Sequence, residues 1–273
     1  MAGAIHRTAR HHTTAGSKAV NAARAAATLG APVLAIGPAG GASGRHLAGL
    51  ASVEDFDSRW FDIAGSTRIC TLIVSEDGDE ETVVNEEGPT LGWPEWEGFL
   101  DLYERHVGGA EVVILSGSLP AGVPADAYGT LVERAGGRPV LLDGRGRELL
   151  DALPARPAWV HLNAGELALT FPGESDPRRS ARELVALGAR NVVLTDGAGP
   201  VLLAGASGAW RIVPPRVRPV KRIGCGDALV GALAAAVLGA LPSFDGVDLV
   251  ARAVAAASAS AETEVPARLD PAV

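Results

Sequence analysis

Short apolar, β-branched runs alternate along this chain with alanine- and leucine-rich stretches of helical character, and that alternation leaves few folds open. Strands are expected at residues 33–36, 112–115, 140–142, 159–162, 192–195 and 201–203. Helices are expected at 18–29, 95–106, 125–135, 178–187, 227–238 and 249–261. The strand runs show no alternation of apolar and polar residues, so both their faces meet apolar cover, as in a mostly parallel sheet between helices. Such sheets bind ligands beyond the carboxyl ends of their strands. One stretch breaks the rhythm: β-rich runs at 69–74 and 82–84 flank Glu76-Asp77-Gly78-Asp79, a composition suited to a hairpin turn. A hairpin set between α/β units projects as a lid or an interface. Neither a repeat nor a linker divides residues 1–273, which read as one domain.

Charge and composition narrow the function classes. The balance of 24 basic against 32 acidic residues gives a net charge of −8, the wrong sign for a nucleic-acid or membrane-surface binder. The longest apolar candidate, residues 228–241, is too short to span a bilayer. Residues 1–14 carry Arg7, Arg10 and three histidines without an apolar run, so they do not read as a secretory signal. Cys70 and Cys225, far apart in sequence, suggest neither a disulfide framework nor a zinc site. The expectation is a cytoplasmic protein.

The chemistry concentrates in a few islands. Gly224-Cys225-Gly226-Asp227 sits where the proline-containing extended segment 211–222 gives way to the small-residue helix from Ala228 onward. A helix start presents unpaired N–H groups and partial positive charge, and glycines let a ligand approach the backbone. Asp227 adds a carboxylate beside that cradle, which suits phosphoryl transfer onto a hydroxyl. The plainer reading is a tight turn whose Asp caps a helix. A thiol at such a helix start is expected to have a lowered pKa, which would leave Cys225 open to alkylation.

Gly16 opens a second island in which Lys18 and Asn21, three apart, share one face of a helix start and can hold a phosphate and hydroxyls. The alternative is a solvated Lys and an ordinary helix Asn. Residues 37–44 form a glycine-rich turn whose spacing does not fit a dinucleotide loop. The 116–124 loop offers Ser116 or Ser118 to a phosphate at a strand end. Asn163 and Glu166 have the spacing either to hold a hydrated Mg²⁺ or to form a helix capping box, and both readings stand. The Walker-type loop of P-loop kinases is missing from the sequence.

Taken in order, these islands resemble the ribokinase-like PfkB family of carbohydrate kinases, in its phosphosugar branch (1-phosphofructokinase, tagatose-6-phosphate kinase and minor 6-phosphofructokinase types). The likeness runs from about Ile5 to Ala261 and rests on Gly16–Asn21, Thr67-Arg68, Asn85-Glu86, Ser116–Pro124, Asn163-x-x-Glu166 and Gly224–Asp227. It implies a three-layer α/β/α fold with a mostly parallel central sheet and a small β lid at about 66–88. It also implies an ATP- and Mg²⁺-dependent kinase of a phosphorylated ketohexose, the alternatives being a kinase of an unphosphorylated sugar or nucleoside and a non-catalytic sugar-phosphate- or nucleotide-binding relative. The exposed edges of the lid hairpin suit a homodimer paired through it. By that resemblance Asp227 is the general base, and Gly224, Cys225 and Gly226 form the hole for the γ-phosphoryl group. Gly16, Lys18, Asn21, Arg68 and Ser116 hold the sugar phosphate. Asn163, Glu166, Thr195, Gly197 and Ser258 line the nucleotide site, with Glu166 reaching Mg²⁺ through water. The family's first strand, with its Asn-Pro-Ala-x-Asp motif, has no counterpart in the sequence, so the sheet is expected to lack it. Ser17 and Ala19 stand for two motif glycines, and His161-Leu162 for a Lys-Pro pair.

Overall fold

The computed structural model describes residues 5, 7–8, 10–74, 81–239 and 246–270. Its first half runs α1 (Lys18–Thr28), β1 (Leu34–Gly40), α2 (Gly41–Ala51), β2 (Asp57–Ile63), β3 (Cys70–Val74), β4 (Glu81–Asn85), α3 (Trp93–Val107), β5 (Val113–Ser116) and α4 (Ala127–Arg134). The second half is β6 (Val140–Asp143), α5 (Gly146–Ala152), β7 (Trp159–Asn163), α6 (Ala164–Thr170), α7 (Pro177–Leu187), β8 (Asn191–Thr195), β9 (Val201–Gly205), β10 (Gly208–Ile212), α8 (Cys225–Leu238) and α9 (Gly246–Ala261).

The main sheet has the order β10-β9-β8-β7-β6-β5. Neighbours from β5 to β8 are parallel, and β9 and β10 are added antiparallel at one edge. Side-chain parity builds three layers, because successive strand residues point to opposite faces. Val140, Leu142, Val160, Leu162, Val192 and Leu194 enter a core with residues of α3, α4, α5 and α7. Leu141, Trp159, Val193 and Leu203 enter a second core with α8 and α9. Strands buried on both faces read as continuous apolar runs, which is why the sequence marks them clearly.

Two elements depart from the expected single sheet. Among the described residues β1 pairs only with β2, in parallel, and the two form their own sheet. Among the described residues β1 and β5 each keep one open edge, and both line the same cavity. Pro38 lies within β1, a position that costs no ladder bond on an edge strand. β2 was not expected, since Asp57, Arg59 and Asp62 mask its apolar residues. The glycine island read as a turn divides between the end of β1 and the start of α2.

The lid is the antiparallel pair β3–β4, with Cys70 opposite Asn85 and Val74 opposite Glu81. The expected turn at 76–79 lies outside the described residues. Ile69, Ile73, Val83 and Val84 are exposed on this ribbon. No helix among the described residues is long and apolar enough to cross a membrane.

Candidate active site

Each parallel strand of the main sheet ends on a polar residue: Ser116, Asp143, Asn163 and Thr195. In register, Ser116 lies beside Asp143 and Asp143 beside His161. Their side chains form one transverse chain of hydrogen bonds. Ser116 Oγ donates to Asp143 Oδ2 at 2.7 Å, His161 Nδ1 lies 2.9 Å from Asp143 Oδ1, and His161 Nε2 lies 3.2 Å from Thr195 Oγ1.

Lys18 reaches this row from the first turn of α1. Its Nζ is 3.2 Å from Asp143 and 2.5 Å from Glu166 Oε1. Ser17 caps the helix by accepting from Val20 N at 3.0 Å, which fixes where Lys18 begins. Burial alone lowers the Lys18 pKa, but Asp143 and Glu166 outweigh it and raise it. Burial pushes Asp143 up, yet His161, Lys18 and Ser116 hold its carboxyl well below the usual carboxylate range. The capping reading of Asn163 and Glu166 is realised: Asn163 Oδ1 accepts Glu166 N at 2.9 Å, and Glu166 Oε2 accepts Asn163 N at 3.0 Å. Glu166 therefore caps α6 with one oxygen and meets Lys18 with the other.

Asp227 stands in the first turn of α8, with 8% of its surface exposed. Asn21 Nδ2 donates to Asp227 Oδ2 at 2.7 Å. The Asn21 amide is oriented from behind, because its Oδ1 accepts from Arg24 Nη1 at 3.0 Å. Arg24 is buried and gripped by the Glu54 carboxylate, Ala15 O and Pro266 O. The absence of a side chain at Gly231 makes this reach possible, since a Cβ there would collide with the Ala22 carbonyl of α1. Burial raises Asp227 to about 6, against the hydrogen bond from Asn21. It remains ionised at neutral pH, but desolvation rather than the helix start sets the direction.

The turn before Asp227 is built for a close backbone approach. Gly224 adopts φ 85°, in the left-handed region, and packs against Pro266, while Gly226 packs against the His161 ring. The N–H of Cys225 makes only a long bond to Arg222 O, at 3.4 Å. Among the described residues, the N–H groups of Gly226 and Asp227 find no acceptor. The Cys225 thiol is raised by burial, with Lys221 opposing, so the lowered pKa expected from the helix start is corrected here.

A cavity of about 3140 Å³ gathers Gly16, Lys18, Asn21, Arg68, Ser116, Glu166 and Asp227 along one wall system. Arg68 is exposed, with Nη2 3.3 Å from Ser118 Oγ. Gly224, Cys225, Gly226, Asn163, Thr195, Gly197 and Ser258 do not line this cavity. Thr195 joins the site through His161, whereas Gly197 lies in the turn after β8 and Ser258 bonds back to Val254 O at 2.9 Å within α9. Asp143 and Arg24 were not singled out from sequence. Asp143 had a signal: it is the acid that closes the apolar run 140–142.

A sequence model of the pfkB family of carbohydrate kinases matches residues 2–270. This chain belongs to that family. Phosphofructokinase-2 from Escherichia coli, solved in complex with potassium, is 30% identical to this pfkB protein, with a TM-score of 0.80 over 92% of this chain and 82% of its own. A possible 1-phosphofructokinase from Thermotoga maritima superposes with a TM-score of 0.87 over 97% of this chain and 87% of its own, at 22% identity. Ribokinase from the same organism gives 0.74 at 17% identity over 92% and 82%, a likeness of fold alone. The pfkB protein is an ATP-dependent carbohydrate kinase on a ribokinase-like fold.

Proposed function

We propose that this pfkB kinase transfers the γ-phosphate of ATP to a hydroxyl of a phosphorylated ketohexose, of the fructose 1-phosphate or fructose 6-phosphate type. The observation that carries the reading is the buried Asp227 carboxylate, hydrogen-bonded to Asn21 and next to the Gly226 and Asp227 N–H groups, which find no acceptor among the described residues at the start of α8. Asp227 accepts the hydroxyl proton as that oxygen forms its bond to the γ-phosphorus, and the bond to the β-phosphate oxygen breaks to release ADP. A base with a pKa near 6 is ionised at neutral pH and still basic enough to help. The Gly226 and Asp227 N–H groups face the charge spread over the phosphoryl oxygens, where fixed dipoles stabilise most.

Asn21 and Gly16 are assigned to the sugar hydroxyls, with Arg68, Ser116 and Lys18 on its phosphate. Asn163, Glu166, Thr195, Gly197 and Ser258 are assigned to the nucleotide side. Mg²⁺ would enter with ATP as part of the substrate and neutralise its phosphate charge, with Glu166 as the carboxylate that would hold its water shell. Support for a phosphorylated acceptor comes from the Escherichia coli phosphofructokinase-2, also solved in complex with fructose-6-phosphate. A tetrameric inhibited form of that enzyme is known as well, and the exposed apolar lid supports a homodimer through β3–β4 here. Dependence on ATP favours the cytoplasm.

A second reading, an unphosphorylated sugar as acceptor, draws on Lys18, whose ammonium is already engaged by Asp143 and Glu166. The deciding experiment measures ADP release with Mg-ATP and each of fructose 1-phosphate, fructose 6-phosphate, tagatose 6-phosphate and the free sugars. Preference for a free sugar would overturn the phosphosugar assignment, and no turnover with any sugar would overturn the proposed reaction.

A further inference from the structure

Lys221 is a buried cation whose ammonium meets the carbonyl and hydroxyl of one serine rather than a carboxylate. Its side chain belongs to a residue only 2% exposed, and among the described residues no carboxylate comes within ion-pair distance. Nζ donates to Ser260 O at 2.8 Å and approaches Ser260 Oγ at 3.4 Å, and Ser260 is itself fully buried. Ser260 is the next-to-last residue of α9, where unpaired carbonyls carry the negative end of the helix dipole. Two backbone bonds run beside the ammonium: the N–H groups of Val220 and Lys221 both donate to Ala261 O, at 2.7 and 3.2 Å.

The other end of this segment leads into the phosphate-binding turn. Arg222 O receives the Cys225 N–H, and Lys221 O lies 3.9 Å from Cys225 Sγ. Arg222 N donates to Glu81 Oε1 at 2.5 Å, which ties the segment to the lid strand β4. Burial works against the charge, lowering the Lys221 pKa, while Cys225, Glu81 and Asp227 favour the charged form. An ammonium is tolerated in such a place only when oxygens replace its lost water.

We propose that Lys221 is a built-in cation that clamps the end of α9 to the segment entering the Gly224–Asp227 turn, making it a positioning residue for phosphate binding. Nothing in the reaction requires Lys221 to touch substrate. The ammonium instead fixes the height of the turn from which the Gly226 and Asp227 N–H groups project. A free monovalent cation has no role at this point while the tethered one is in place.

Removing the tether should create a need for a free ion of similar size. The test compares wild type, Lys221→Ala and Lys221→Met in ammonium, potassium and tetramethylammonium chloride at equal ionic strength, reading kcat, KM and Tm. In tetramethylammonium, Lys221→Ala should lose about tenfold or more in kcat, because small displacements of positioning groups are costly. Its KM for the sugar phosphate should stay within about twofold, the mark of a lost transition-state contact. Ammonium or potassium should restore part of both kcat and Tm, whereas wild type responds to neither. Lys221→Met, which fills the space without charge, should fold, turn over slowly and ignore added cations. Recovery of soluble Lys221→Ala only when ammonium is present supports the clamp equally. Wild-type kcat and Tm for Lys221→Ala in tetramethylammonium, or wild-type kcat for Lys221→Met, overturn it. The turnover arm rests on the proposed kinase reaction; should wild type phosphorylate no sugar, the Tm response alone still decides the clamp.

Discussion

Replacing Asp227 with Asn should make the protein more stable and nearly inactive at the same time. The carboxyl titrates at about 6 in the fold against an ordinary value of 3.8, so keeping it ionised inside costs about 3 kcal/mol at roughly 1.4 kcal/mol per pKa unit. The sign follows from linkage. A carboxyl with a raised folded pKa contributes stability below the unfolded value and loses it as pH rises through the folded one. The Asp227→Asn variant, which mimics the protonated form and keeps a partner for Asn21, escapes that loss. Urea unfolding at a series of pH values should therefore show the stability gap between variant and wild type smallest near pH 4. The gap should open through pH 6 and level off near ~3 kcal/mol by pH 8. Turnover of the variant should fall by at least ~10², because no group remains to take the hydroxyl proton. ATP binding by calorimetry should persist. A variant less stable than wild type at pH 8, or one retaining more than about a tenth of its turnover, would refute the reasoning.

Further perturbations test other joints of the site. Lys18→Met leaves Asp143 and Glu166 facing each other without a cation and should cost about 2 kcal/mol in urea unfolding, less than a fully buried pair because Lys18 is 33% exposed. Unchanged stability would mean that solvent already compensates the pair. Arg24→Ala strips the partner from Glu54 and frees the Asn21 amide; about 3–5 kcal/mol should be lost, with turnover falling in whatever folded protein remains. Gly231→Ala pushes α8 away from α1 and should cost about 1–3 kcal/mol while lengthening the Asn21–Asp227 contact, read as a drop in kcat larger than the rise in KM. Ile73→Lys places a charge on the exposed apolar lid and should shift a lid-paired dimer to monomer by light scattering; an unchanged mass would remove the lid from the interface.

How far the sequence could be read depended on how many neighbours a residue's role requires. The runs at 140–142, 159–162 and 192–195 announced their strands because burial on both faces leaves only apolar residues. α8 announced itself through an uninterrupted small-residue run. β2 did not, since a strand with Asp57, Arg59 and Asp62 on it carries a mixed pattern. The Gly224–Asp227 turn and Asn21 were visible as motif residues, and the structure brings them within hydrogen-bonding reach. Asp143 went unread because one acid after an apolar run looks like any turn, and its value comes from His161, Lys18 and Ser116 arriving from three other elements. The directions of the Asp227 and Cys225 shifts were not legible either. A helix start argues for lower pKa values, but the depth at which α8 sits against α1 decides the contest, and depth is a property of packing.

The gap between β1 and β5 has a consequence for how this protein behaves in concentrated solution. Among the described residues both strands keep one row of amide and carbonyl groups outside any ladder, and the Val113–Leu115 stretch is apolar as well. Any extended polypeptide that meets such a border can dock by main-chain pairing alone, without regard to its side chains. A net charge of −8 slows those encounters at low salt and does much less once ions screen it. Added salt is then the condition under which main-chain pairing at these edges should first become measurable.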